Sequence, residues 1–532
     1  MPSQRDPRRH AGRPAAKAWP WPLGRVAALA APLAGLALLA PLVPPVLLAP
    51  DPARAAGRRV EAPSPELRVL LQEGPALTVR AAGATRLRLR DGRGKALLVI
   101  SGERPLRLRW RAGLVEAEPD PVVVAAAAAL PGPDPAAGAA GAGERTGAGP
   151  SPEPEPLQMP LRLSELWLES VPAADSDPAL WLQKRRYRGR LQIRPVNEQL
   201  QAINVLPLET YLPSVVGSEM PASWPLEALR AQAVAARTYA LKGRKPGAAY
   251  DLKATVASQM YKGLEAETAS TRAAVADTRG LVLTYGDSLI DAVFHSSAGG
   301  VTESSGDLWP RQLPYLVSVP DFDQTSPVRE WRQPLDPAQL RQAFAEIGGA
   351  AAIQVLATTP SGRVRQARVV GPAGQLVLTG PQLRTRLGLK STFVRFELQP
   401  LLPGPTALSL PGLEAGPLPA GAGALTLPAQ APLDAPQPLP LPVAGGMPAA
   451  PPAPQLLVAV GRGFGHGVGM SQWGAFAMAS RGTGFEQILR HYYRGARLQP
   501  YTEVPGLALA TGVESRDDSG STATALPVGG RR

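Results

Sequence analysis

The stretch that most constrains this chain runs from Leu206 to Leu241, LPLETYLPSVVGSEMPASWPLEALRAQAVAARTYAL. It is the longest piece with uninterrupted helical logic. Pro225 suits the opening of a helix, because the N–H it lacks would be unpaired there in any case. Leu226, Leu229, Ala233, Ala236 and Ala240 then recur at steps of three and four, which predicts an amphipathic helix with a mostly alanine face, and Gly243 is a suitable stop. Upstream, Glu219 stands among Val215, Val216, Met220, Pro221 and Trp224. Apolar surroundings disfavour a charged carboxylate. The pattern further predicts a short helix beginning at Pro213 and ending near Glu219, where the negative end of the helix dipole also favours the neutral acid. Glu209 falls in a first helical turn, where acidic residues are stabilising for ordinary reasons.

Elsewhere the pattern is α+β: mixed helices and antiparallel strands with a β-rich N-terminal part. Residues 60–130 hold strand-like runs between glycine turns, among them ELRVLLQEG, ALTVRAAG and RLRLRDGRGKALLVISG. Arg86, Arg88 and Arg90 alternate with leucines and make one face basic, either a solvated sheet face or a polyanion surface. Residues 131–158 and 401–454 are rich in Pro, Ala and Gly and are expected to be disordered inserts. They flank a core at 159–400 that resumes over 455–500, and a loose tail covers 501–532. Within the core, 250–263 reads as a loop, 265–278 as a helix, and LVLTY with LIDAVFHSS as a hairpin about Gly286-Asp287. Helices are expected near 337–347, 381–387 and 485–493, with strands near 364–379.

Residues 1–55 read as an export signal: a basic region to Arg25, an apolar run from Val26 to Ala49, and a small-x-small site at Ala53-Arg54-Ala55. The alternative is an uncleaved anchor, against which Pro32, Pro41, Pro44 and Pro45 argue. An exported protein of the periplasm or cell envelope is expected, touching membrane only through this segment. The formal charge is +13, of which the first 55 residues contribute seven Lys/Arg against two Asp, leaving +8. That sign suits an anionic polymer or membrane surface. No basic run interleaved with aromatics points to nucleic acid. The absence of cysteine removes disulfides, thiolate catalysis and Cys-based zinc sites.

Familiar catalytic signatures, G-x-S-x-G, H-E-x-x-H and the P-loop, do not occur. Gly461 to Gly469 places glycine at every second position, which misses the dinucleotide spacing but frees the backbone for unusual dihedrals and close approach to a ligand. His295 and His466 stand in small-residue loops that could share a cleft. A zinc site from His295, His466 and His491 finds no support in their spacing, and no cofactor is expected.

Taken together, INVLPLETYLPSVVGSEMPASWPLEALRAQAVAARTYAL, ASQMYKG, FHSSAGGVTES and GRGFGHGVGMSQWGAFAMA resemble the stage II sporulation protein D / LytB amidase-enhancer family. The resemblance covers most of residues 66–498, with the two Pro/Ala-rich stretches as insertions. It implies a lytic transglycosylase that cuts peptidoglycan glycan strands stripped of stem peptides, with the acid of the E-M-P motif, here Glu219, as catalyst. It further implies a groove lined by Gln232, Arg237, Ser258, Gln259, Tyr261, His295, His466, Ser471 and Gln472. Some relatives carry a zinc bound partly by cysteine, which this chain lacks. The alternative implied by the enhancer branch is a non-catalytic wall-binding protein that activates a cell-wall amidase; a structural envelope protein is a third reading.

Overall fold

The computed structural model describes residues 64–83, 85–100, 104–119, 160–171, 178–400 and 455–507, together with the backbone of 125–126. The export segment, both Pro/Ala-rich inserts and the tail beyond 507 lie outside the described residues.

The N-terminal part is built from two antiparallel sheets. One runs, in spatial order, 66–74, 199–207, 190–196, 166–171, 86–91, 96–100 and 125–126, and a short parallel strand, Leu252–Lys253, extends its first edge. The other runs 185–187, 180–182, 76–81, 106–111, 114–119 and 161–163. Alternation decides the packing: Leu67, Val69, Leu77, Val79, Leu87, Leu89, Leu106 and Leu108 point inward and join one core, as expected for sheets stacked face to face. The basic face is a solvated one. Arg88 and Arg90 both donate to Glu169 on the neighbouring strand, at 3.1 and 2.7 Å.

Strand Gln199–Pro207 runs straight into helix α1, Leu208–Glu219. This helix therefore starts five residues earlier than the expected Pro213, which lies inside it. Pro207 supplies the extended N-cap, and position 219 is the last helical residue, as the pattern anticipated. Helix α2, Leu226–Lys242, follows Pro225 and stops at Gly243. The expectation of a one-sided amphipathic helix is overturned, because α2 is buried on nearly every side, from Ala228 to Leu241. It packs against α1, against α3 (Ala269–Asp277), and against strand Leu281–Tyr285. The expected hairpin forms between that strand and Ser288–Leu289, but Phe294–His295 leaves it to pair in parallel with Met470–Ser471.

Past α4 (Ser305–Leu308), a second, smaller core gathers Trp331, Phe344, Ile347, Val364, Val369, Leu383 and Leu457 under α5 (Pro337–Ala343) and α6 (Gly380–Leu387). Asp336 caps α5, and Thr379 with Gln382 forms a capping box at α6, the local chemistry that starts helices. Strands Val394–Pro400 and Gln455–Arg462 pair antiparallel, so the chain on either side of 401–454 meets in space. Helices α7 (Gln472–Ser480) and α8 (Phe485–Tyr492) complete the wrapping of α2. The first of these had no counterpart in the sequence reading.

Candidate active site

Glu219 ends α1 with its carboxyl between two neutral donors. The Met260 N–H donates to Oε1 at 2.8 Å and the Gln472 side-chain amide to Oε2 at 3.3 Å. Burial drives its pKa upward; these two hydrogen bonds and the charge of Lys262 oppose that shift without cancelling it. No salt bridge forms with the carboxyl among the described residues, yet the residue keeps a strip of solvent-exposed surface. A carboxyl lifted above its ordinary range but still reachable is the combination that general-acid chemistry needs. Three aromatic rings cluster on the chain neighbours of Glu219 and Gln472. Trp224 lies just beyond the end of α1, and Trp473 and Phe476 lie on α7 beside Gln472, with centroids 4.8 Å (Trp224–Trp473), 4.9 Å (Trp224–Phe476) and 5.4 Å (Trp473–Phe476) apart.

Of the expected groove residues, only Gln472 touches Glu219. Arg237 is wholly buried and gripped by Glu209 through two hydrogen bonds of 2.7 and 2.8 Å, while its remaining N–H groups reach the Leu281 and Val275 carbonyls. It is a structural cation, unavailable to a ligand, and Glu209, in the first turn of α1 as expected, is its counter-ion. Tyr261 is buried, donates to Asn204 at 2.8 Å and stacks on Tyr187 and Tyr211. Gln259 links the Tyr211 hydroxyl to the Ala236 carbonyl. Ser258 accepts from the Lys253 N–H and so fastens its own loop. These three fix the loop that presents the Met260 N–H to the carboxyl. Gln232 is buried on α2, and neither end of its amide finds a partner among the described residues. Ser471 is buried and caps α7 by accepting from Gly474, which orients Gln472.

His295 and His466 come together, ring centroids 5.4 Å apart. His295 donates from Nδ1 to the Val468 carbonyl; His466 donates from Nε2 to the Phe294 carbonyl and accepts the Val468 N–H on Nδ1. Burial depresses both, His466 to about 4 and His295 well below its ordinary value, so both are neutral. His491 is spent on the Pro320 carbonyl. With both nitrogens of His466 occupied, and one on each of the others, this donor set does not fit the zinc of the cysteine-bearing relatives. No cluster of three metal-ligating side chains occurs among the described residues.

The glycine loop does take unusual dihedrals, with positive φ at Gly463, Gly465, Gly467 and Gly469. The close approach is to the protein itself. A Cβ on Gly465 would sit 2.7 Å from the His295 Cβ, and one on Gly469 would sit 2.2 Å from the Val293 carbonyl oxygen. The glycines thus let strand Met470–Ser471 lie against Phe294–His295 and set Gln472 in place.

Sequence reasoning also missed a buried network behind this loop. Arg363 donates to the Ala298 and Val301 carbonyls at 2.7 and 3.1 Å, and Glu303 accepts from Thr359 and Ser361. Asp321, raised to about 6 by burial and by its neighbour Asp323, accepts from Tyr492. Nothing local marks the network, because its three clusters, 298–303, 321–323 and 359–363, meet only across the fold.

The fold and site define an α+β protein with a carboxyl, raised by burial, held between a loop and a helix start. Residues 196–285 match the sequence model of SpoIID, the Stage II sporulation protein family, a span that includes Glu219. The chain is 28% identical over 318 residues to Stage II sporulation protein D of Bacillus subtilis, covering 56% of this chain and 76% of that protein. To the protein of the same name from Bacillus amyloliquefaciens it is 29% identical over 314 residues, covering 55% and 74%. The Bacillus subtilis protein named Amidase enhancer is 32% identical over 314 residues, which is 54% of this chain and 40% of that one. The chain is thus similar to SpoIID proteins, with the family match itself confined to residues 196–285.

Proposed function

We propose that this protein is an exported cell-envelope enzyme that cleaves peptidoglycan glycan strands by a lytic transglycosylase reaction, with Glu219 as its only acid–base group. The supporting observation is the carboxyl itself, raised by burial and held by two neutral N–H donors, on a residue that is only partly buried. Neutral Glu219 protonates the glycosidic oxygen leaving C1 of N-acetylmuramic acid, and oxocarbenium character develops as the C1–O bond breaks. The new carboxylate takes the proton of the same sugar's C6 hydroxyl, whose oxygen closes on C1 to give the 1,6-anhydro ring. The carboxyl is protonated again at the end and no water is consumed, so a second carboxylate is not required. Gln472 and the Met260 N–H steady the carboxylate between the two transfers.

A second reading has support in the relative named Amidase enhancer: the chain binds wall glycan without cutting it and stimulates a separate amidase. Incubating the purified protein with glycan strands, with and without stem peptides, separates the two. Mass spectrometry should find 1,6-anhydromuramic ends that vanish in Glu219→Gln. No such ends, together with faster turnover by an added amidase, would decide for the enhancer.

A further inference from the structure

Helix α7, whose Gln472 holds the Glu219 carboxyl, also carries two of the three aromatic rings, and the turn that follows Glu219 carries the third. The turn after α1, closed by a 3.1 Å hydrogen bond from the Trp224 N–H to the Pro221 carbonyl, delivers Trp224. The first turn of α7 delivers Gln472 onto the carboxyl and Trp473 and Phe476 onto Trp224. The Trp473 N–H is itself fixed to the Ser296 carbonyl at 3.0 Å. All three rings remain partly exposed, although the core beneath them has room for complete burial of residues as large as Tyr211, Tyr492 and Tyr493.

Rings this large each hold much of the apolar area a core can bury, although tryptophan is rarely buried completely. A cluster left open beside a reactive carboxyl has the form of a ligand platform: an apolar floor with a few polar groups at its edge. The rings are tilted by 46–73° to one another, so they form a ridged floor rather than a single stack. The C–H-bearing face of a pyranose matches such a floor, while its hydroxyl and acetamido groups stay at the rim.

We propose that Trp224, Trp473 and Phe476 form a sugar-stacking subsite that seats an N-acetylhexosamine ring next to the Glu219 carboxyl. The inference rests on the glycan reading above, but it concerns binding and stands without cleavage. Trp473, next to Gln472, is the main contact, and Trp224 buttresses it. The rings are binding and positioning groups; none takes part in proton transfer.

The test uses the full chain carrying Glu219→Gln, so that no bond can break, and a chitin tetrasaccharide as probe, with binding followed by calorimetry. The parent is expected to bind. Trp473→Ala is expected to weaken binding about tenfold and Trp224→Ala about threefold, in the range measured for aromatic contacts, while Trp473→Tyr recovers most of the loss. Trp181→Ala, on the N-terminal sheet, should leave binding unchanged. Should an alanine variant fail to fold, protection of the tryptophans from oxidation by saturating tetrasaccharide replaces it, with Trp224 and Trp473 shielded. Binding within twofold of the parent in both folded alanine variants, or no shielding, overturns the subsite. A protein that makes no anhydro ends yet loses sugar on Trp473→Ala would overturn the enzyme reading and leave the subsite standing.

Discussion

Helix α1 carries two glutamates ten positions apart that meet opposite fates. Glu209, in the first turn, is buried against a guanidinium that answers both of its oxygens. Glu219, at the last residue, meets an amide N–H on each oxygen and no salt-bridging cation among the described residues. The helix dipole favours a negative charge at the first position and opposes it at the second. One carboxylate is therefore committed to structure, and the other is left able to exchange a proton. What distinguishes them is the partner, since residue type and helix are the same.

The comparison can be broken most sharply at Glu219. Replacing it by Gln should reduce formation of anhydro ends by at least about 10²–10⁴-fold, the usual worth of acid–base catalysis, with an unchanged circular dichroism spectrum. Activity in the variant within about tenfold of the parent would place the chemistry elsewhere. Arg237→Ala should act in the other direction, on stability. Leaving Glu209 buried and unpaired should cost about 3–5 kcal/mol, read from denaturant unfolding. A loss below about 1 kcal/mol would mean that Glu209 finds water or another donor, against the pairing described here.

Gln472→Ala tests how the acid is tuned. The amide favours the charged form of Glu219, so its removal should move the basic limb of the pH–rate profile to higher pH and lower the maximal rate. An unmoved limb would mean that the amide does not reach the carboxyl in solution. The smallest effect concerns stability against pH. A carboxyl whose folded pKa lies above its unfolded value is protonated in the folded chain while already ionised in the unfolded one. The protein therefore loses stability as pH rises from the unfolded toward the folded value and keeps that deficit above it. Glu219→Gln should accordingly melt higher than the parent at pH 7 and equal to it at pH 4. The same difference at both values would exclude the carboxyl as its cause.

Much of this was legible in the residues because it rests on neighbours. Pro225 and Gly243 bracket α2, Thr379 with Gln382 starts α6, and alternation in Ala76–Ala81 and Arg86–Asp91 writes those strands. The position of Glu219 at a helix end in apolar company was equally local. The groove list fared differently. Arg237, Gln259 and Tyr261 stand in family motifs, yet they are buried in the framework, because motif membership does not separate a residue that touches a ligand from one that holds the loop beneath it. Likewise, alternating glycine foretold unusual dihedrals, but only the fold revealed that His295 and Val293 lie against them.

The sequence by itself determined which segments become helix or strand and which acid is set apart, since capping, alternation and dipole placement act over a few residues. Only the tertiary structure decided who meets whom. Arg237 reaches Glu209 across 28 residues and Gln472 reaches Glu219 across 253. Pairings over such distances are set by how whole elements pack, so no local pattern records them.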